Sequence, residues 1–390
     1  MNAITRCGIS DATEFHSLWK LPALPLTERF GPPAPAATLA FDQELVISLP
    51  TGHVQLRHQL DPRILYTDAE YSFRTAASDK SRSGVAFFLR YLERLGRDRS
   101  FQSVVDVGGN DLFVARQLAA PGRHLAVIDP ICAAIDGQVI DGIKVFGRFI
   151  EQVDLARDLP APDLVVCRHT LEHIARPGDV MAQWFRQCTD DCLYVVEIPC
   201  FANLVEAQRF DAVFHQHYHY FDLASFRHLI WENGGEYLDH EFNHQGSCGG
   251  ALVVAFQRAR SRQSRPTVDL ENRIAYIERR IARYREQMAI MSELLLELPK
   301  PAYGYGASLI LSTLGYHLQT DFEMFECVLD DYPAKDGVTY ENVPVVVRHT
   351  GTVAPAPDAS YLITSLENVR PIYPRITELR PRRILVPLLN

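Results

Sequence analysis

Apolar, β-branched runs recur through the middle of the chain at 104–107, 125–128, 164–167, 193–198 and 251–256, with helical patterns between most of them. Strand-like runs alternating with amphipathic stretches predict a mostly parallel sheet with helices on both faces, whose ligands sit beyond the carboxyl ends of the strands. A helix is expected from Gly84 to Leu95, just ahead of the first run. Residues 1–75 differ: Pro22, Pro25, Pro32, Pro33 and Pro35 precede short alternating runs such as Leu45-Val46-Ile47-Ser48-Leu49, which predict a small β-rich lobe. From Pro266 to Pro299, Leu270, Ile274, Ile277, Ile281, Tyr284, Met288, Met291, Leu295 and Leu298 recur at alternating four- and three-residue steps. That is one narrow apolar seam on a long helix. A connecting helix lying on its own domains is the preferred reading, since a self-standing coiled coil usually carries more heptads. Beyond it, Ala302-Tyr303, then Gly304-Tyr305-Gly306-Ala307-Ser308, a helical stretch and Cys327-Val328-Leu329-Asp330 repeat the strand, turn and helix pattern. The glycine turn there suits a phosphate cradle or a close helix–strand contact equally well. Four consecutive parts are therefore expected: a lobe over 1–75, an α/β domain over 76–260, a helix over 261–300 and a smaller α/β domain over 301–390.

The first strand carries the sharpest chemical signal. Val104-Val105-Asp106-Val107 stops at Gly108-Gly109, followed by Asn110-Asp111 and an amphipathic stretch. Glycine lets a backbone approach a ligand, and a helix start offers unpaired N–H groups. The next apolar run ends at Asp129, about 20 residues on, where nucleoside-binding α/β folds place an acid on ribose hydroxyls. Asp129 also suits a capping role before Pro130. No GxGxxG loop sized for a pyrophosphate is present, and Asp106, Asn110 and Asp111 surround the turn with carboxylate and amide groups. Those groups suit a cationic, amino-acid-bearing adenosine cofactor, and S-adenosylmethionine (SAM) is such a ligand.

Composition narrows the partners. The 390 residues include 39 Lys and Arg against 48 Asp and Glu, a net charge of −9, with no basic block long enough to track a phosphate backbone, so nucleic acid is not expected as a substrate. The longest apolar stretches fall short of the ~20 residues that a membrane span needs, and the amino terminus lacks a basic-then-apolar signal. A soluble cytoplasmic protein, monomer or homodimer, acting on a small molecule is the expectation. The 8 cysteines are scattered without a CxxC pair and read as reduced thiols.

Histidines crowd the centre. Cys167-Arg168-His169-Thr170-Leu171-Glu172-His173-Ile174 is followed by Phe214-His215-Gln216-His217-Tyr218-His219-Tyr220-Phe221. Such density near the ligand edge of a sheet points to proton chemistry, to metal binding by His215, His217 and His219, or to structural histidines. Proton chemistry is preferred over metal, because no carboxylate stands within the second run, and Tyr218 and Tyr220 suit a substrate-stacking wall. His173 reads as part of a helix starting near Leu171.

Together these segments resemble the nucleotide-sugar C-methyltransferases of the SAM-dependent class I fold. The landmarks are VDVGGND around 106, CRHTLEHI at 167–174, VVEIP at 195–199, FHQHYHYF at 214–221, Gly249-Gly250, YGYGA at 303–307 and LDDYPAKDG at 329–337. The resemblance implies an α/β fold: a class I SAM methyltransferase (Rossmann-like) domain, a second smaller Rossmann-like domain and a small amino-terminal lobe. It implies that Asp106, Gly108, Asn110 and Asp129 hold SAM with His169 nearby, that Tyr71 reaches over the site, and that Gly304 and Lys335 approach a nucleotide-linked substrate.

Two departures bear on chemistry. The family's first lobe carries two cysteine pairs, whereas here Cys7 is accompanied by Ile4, Ser48 and Thr51, so no metal is expected. The family's Tyr-His-Glu-His segment reads Phe214-His215-Gln216-His217 here. A carboxylate beside a histidine stabilises imidazolium, which helps remove a proton from carbon; glutamine orients but supplies no charge. The resulting expectation is a SAM-dependent methyltransferase with His217 as base and His215, Gln216 and Tyr71 orienting the substrate. An oxygen or nitrogen acceptor and a catalytically silent SAM-binding paralogue are the alternatives.

Overall fold

The computed structural model describes the chain except residues 1, 33, 35–38, 66–78, 245, 262, 355, 389 and 390. The chain forms two compact units that are not consecutive in sequence. One comprises Met1–His16, Val46–Asn203 and His217–Arg273; the other comprises Ser17–Leu45, Leu204–Gln216 and Ile274–Asn390. Described residues before position 66 fall in both units.

The first unit is built on strands β1 (Ser103–Val107), β2 (His124–Ile128), β3 (Ile143–Phe146), β4 (Leu164–Arg168), β5 (Leu193–Pro199), β6 (Gly235–Asn243) and β7 (Ala251–Arg258), with a two-residue strand, Val139–Ile140, at one edge. Their order in the sheet is β6-β7-β5-β4-β1-β2-β3. β1 to β5 are mutually parallel, and β7 runs antiparallel to both β5 and β6. The central strands read as continuous apolar runs because both faces are covered. Side chains alternate across the pleat: Val104 and Val166 pack with Val85, Phe88 and Tyr91 of helix α1 (Asp79–Gly96). Val105 and Val165 pack with Val180, Met181 and Trp184 of helix α2 (Pro177–Gln187) on the other face. β6 escaped the sequence pattern because its residues are mostly half-buried and it lacks an apolar run.

Short strands finish this unit. Val54–Leu56 pairs antiparallel with His219–Tyr220, which fixes the end of the histidine-rich segment. Cys7, Ser48 and Thr51 are buried, and Cys7 Sγ lies 3.8 Å from Thr51 Oγ1, while Ile4 is half-buried.

The second unit holds an all-parallel sheet of β8 (Ala302–Tyr305), β9 (Val328–Asp330), β10 (Val347–His349), β11 (Ser360–Ile363) and β12 (Arg383–Leu385), in the order β10-β9-β8-β11-β12. The long helix is α3, Leu270–Leu296, and its seam buries Ile277, Ile281, Tyr284, Met288 and Leu295. Tyr284 meets the rings of Trp19, Phe210 and His317 within the unit, so this seam is covered by the helix's own surroundings. Gly304, expected in a turn, lies inside β8, where an added Cβ would stand 3.0 Å from Val328 Cγ2. The turn is made by Gly306 at φ +101°, where an added Cβ would stand 2.4 Å from Ser365 Cβ. Close packing therefore accounts for both glycines. Lys335 Nζ donates to Ala307 O at 2.8 Å and to Asp330 Oδ2 at 3.1 Å, bracing the same turn.

Gly306→Ala should lower stability by ~2–5 kcal/mol, combining ~1–2 for a left-handed backbone with ~1–3 for overpacking. Gly337, at φ +81° with open space around its Cβ position, should lose only the backbone part on change to Ala. Urea unfolding of the two variants checks this; equal losses would remove the Ser365 contact as the cause.

Candidate active site

In the first sheet the strand order reverses between β1 and β4, which opens a crevice at the carboxyl ends of the strands. Asp106, Asp129, His169 and Glu197 all lie at or just beyond that edge. The turn after β1 is forced by its neighbours. Gly108 has φ +77° and an added Cβ would stand 1.8 Å from Thr170 Oγ1; at Gly109 it would stand 2.7 Å from Val127 Cγ1. Asn110, at φ 45°, donates its N–H to Asp129 Oδ2 at 2.8 Å. Asp129 Oδ1 accepts from Ile131 N at 3.0 Å, capping the 3-10 turn Pro130–Ile135. Asp129 thus has the capping role and also ties the glycine turn to β2. The helix that follows, Phe113–Gln117, is only 5 residues long, so its dipole adds less at the turn than a full helix would.

Asp106 is 2% exposed, and its Oδ2 has no hydrogen-bond partner among the described residues. Burial pushes its carboxyl up to about 7 against the opposing pull of Arg168. A buried carboxylate oxygen left open at a ligand edge fits a cationic group such as an amino acid's ammonium. The open Asp106 oxygen is where the ammonium of SAM's amino-acid end would fit.

Behind the turn lies a set of paired charges. Arg168 Nε stands 2.5 Å from Glu197 Oε2, and its guanidinium covers the Phe88 ring. His169, at φ 48°, has Nδ1 3.8 Å from Glu172 Oε1 and Nε2 3.8 Å from Glu197 Oε1. Burial alone would lower its pKa, but the two carboxylates prevail and raise it to about 9. Burial likewise opposes the ionisation of Glu197, yet Arg168 and His169 hold it at about 2.

Glu172 and His173 sit on the 3-10 turn Leu171–His173, where a helix was expected. Glu172 is 1% exposed, and neither carboxylate oxygen finds a hydrogen-bond partner among the described residues. Desolvation works against its charge, but His169, His173 and His217 lower its pKa on balance. His217 is buried and packs edge-on against His173, with ring centroids 4.8 Å apart. One ligand-type atom from each of Glu172, His173 and His217 lies within 4.8 Å of the others. A carboxylate and two imidazoles is a donor set that zinc uses and equally one that moves protons.

The other expected residues have different surroundings. His215 bonds through Nε2 to Leu24 O at 2.9 Å and through Nδ1 to Gln43 at 3.3 Å. The carbonyl can only accept, so Nε2 carries the proton and Nδ1 accepts from the amide. Gln216 exchanges two bonds with Thr27: Thr27 Oγ1 donates to its Oε1 at 2.8 Å, and its Nε2 donates to Thr27 O at 3.2 Å. His219 pairs with His53 at 3.0 Å, and burial lowers the pKa of both, His219 to about 4. His215, His217 and His219 therefore each have a separate set of partners. Tyr218 OH donates to Leu60 O at 2.8 Å, and Tyr220 meets Phe201 edge-on and His217 at a tilt, with ring centroids 5.8 and 6.3 Å apart. Tyr71 lies outside the described residues. Glu172 was missed as a site residue, although it stands three residues after His169, a step that on a tight turn brings it back toward that ring.

Residues 79–240 match the family model described as a methyltransferase domain, and the sheet order with its antiparallel β7 is that of the class I methyltransferase fold. A curated relative, the C-methyltransferase NovU of Streptomyces niveus, is 25% identical over 239 residues, covering 58% of this chain and 54% of the relative. The chain thus matches about half of that relative's length. Among solved structures, the plantazolicin methyltransferase BpumL is 12% identical with a TM-score of 0.38, over 51% of this chain and 92% of that one. The N-methyltransferase NodS of Bradyrhizobium japonicum WM9 is 14% identical with a TM-score of 0.37, over 48% and 92%. Among the described residues no helix is long and apolar enough to cross a membrane.

The raised His169 pKa makes a stability prediction. Its folded value of about 9 exceeds the ordinary 6.5, so its contribution is complete below 6.5 and is lost as pH rises through 9. The melting temperature of the wild-type protein should exceed that of His169→Gln most below that window, with the gap narrowing across it. A constant gap in scanning fluorimetry would contradict the charge assignment.

Proposed function

We propose that the chain is a SAM-dependent methyltransferase whose acceptor is a nucleotide-linked sugar or a similar small polar metabolite. The observation that carries this reading is the group of buried Glu172 and His217 with half-buried His173, at the same sheet edge as the open Asp106 oxygen. The methyltransferase-domain match and the relative named a C-methyltransferase support it. SAM, when bound, supplies a methyl group already activated on a sulfonium. Alignment and proton removal are then the protein's main tasks. Asp106, Gly108, Asn110 and Asp129 are assigned to the cofactor. His169, cationic at neutral pH, complements the cofactor's carboxylate better than its sulfonium. His217 is assigned as base, with Tyr218 and Tyr220 lining the acceptor side.

An oxygen or nitrogen acceptor is the second reading. Gln216 is held by Thr27, so the segment containing His217 brings it no charge, and a heteroatom acceptor needs only orientation and a modest base.

Gly108→Arg should abolish SAM binding in calorimetry. Asp129→Ala should weaken it by ~1.5–3 kcal/mol for each charge-assisted hydrogen bond lost; unchanged affinity in both variants would end the cofactor assignment. With SAM binding retained, His217→Ala should slow methyl transfer by ~10²–10⁴-fold. Carbon NMR of the product identifies the methylated atom, and full activity of the variant would remove His217 from the mechanism.

A further inference from the structure

His217 receives no carboxylate from its own segment, but the fold delivers one from another part of the chain. Glu172 comes from the 3-10 turn after β4, with an oxygen 3.9 Å from His173 Nε2 and within the 4.8 Å group that includes His217. We propose that Glu172 is the positioning residue for the His173 and His217 pair: it orients the pair and balances the imidazolium formed when His217 takes the acceptor's proton. This rests on the methyltransferase reading above.

Two contrasts favour that role over a purely structural one. Two other buried carboxylates of this unit are hydrogen-bonded, Asp222 to Ser225 N at 2.9 Å and Glu197 to Arg168, while Asp106 at the cofactor turn leaves one oxygen open. Both oxygens of Glu172 have no such bond among the described residues. A buried carboxylate that serves only structure is normally bonded. The charges around it are also nearly balanced at rest, Arg168 and His169 against Glu197 and Glu172. A proton arriving on His217 therefore adds one positive charge beside an anion, with His173 and Tyr220 among the described groups that also face it. The proton leaves the acceptor atom, occupies an imidazole nitrogen, and returns to solvent after the methyl bond forms. Such a pair meets the requirement that Gln216 does not, so a carbon acceptor remains within reach of this site.

The test uses the full chain with ¹³C-labelled histidine, the His217 signal being assigned by its loss in His217→Asn. Glu172→Gln should move the His217 titration to lower pH, because an opposite charge within ~4–6 Å favours the protonated form. Glu172→Asp, which keeps the charge but draws it back by one methylene, should give a smaller shift in the same direction. With a nucleoside-diphosphate 4-keto-sugar as probe, solvent exchange of the proton next to the ketone should fall ~10–100-fold in Glu172→Gln at similar KM. An unmoved His217 titration in Glu172→Gln would overturn the proposal. If that variant is too unstable to titrate, Glu172→Asp decides: a smaller shift in the same direction supports the role and no shift overturns it. A stoichiometric divalent ion lost on mutating Glu172, found by elemental analysis, would also overturn it in favour of a metal site. The titration needs no substrate, so failure of the methyltransferase reading, seen as full turnover in His217→Ala, remains distinguishable.

Discussion

The ligand edge of the first sheet depends on keeping charges ionised in a dry place. Two carboxylates there, Glu172 and Glu197, are each 1% exposed, and a buried charge is tolerated only when opposite charge is held close. The chain meets this with consecutive residues. Arg168 ends β4 and points its guanidinium at Glu197; His169, bent into the left-handed region, puts its two ring nitrogens between Glu197 and Glu172. Parallel pairing sets the register, because Arg168 is the direct neighbour of Glu197 across β4 and β5. The sheet's hydrogen bonds thus place the charges, and the charges hold the loop that carries Glu172 and His173.

The glycine turn is part of the same construction. Thr170 follows His169, and its Oγ1 occupies the space that a side chain on Gly108 would need. The conformation of the loop after β4 and the need for glycine after β1 are therefore one packing problem. Asp129 closes the turn from the other side by accepting the Asn110 N–H. Three adjacent strands contribute to the edge, and each contribution uses backbone geometry that only a few residue types allow.

Most of this fold was legible because its strands are buried on both faces and read as unbroken apolar runs: β1, β2, β4, β5 and β7 lie where the sequence places them. β6 was not legible because its burial is partial, and the two-unit division was not because it depends on contacts between distant segments. The turn residues Asp106, Gly108, Asn110 and Asp129 do come together at one edge. The tie between Glu172 and His217 was hidden because the two are 45 positions apart and only the fold brings them together.

The segment 214–221 shows why histidine spacing alone misleads. Period-two spacing puts His215, His217 and His219 on one face only where the chain is a strand, and here the strand is limited to His219–Tyr220. Every residue of the segment is buried, so each polar group must be accommodated where it lies. His215 meets a carbonyl and an amide, Gln216 meets Thr27, and His219 meets His53. These partners fix the orientation of each ring or amide. His217 instead shares a 4.8 Å group with His173 and the carboxylate of Glu172. The chemistry of the neighbour, more than the identity of the residue, separates a histidine poised for proton transfer from histidines that hold the fold together.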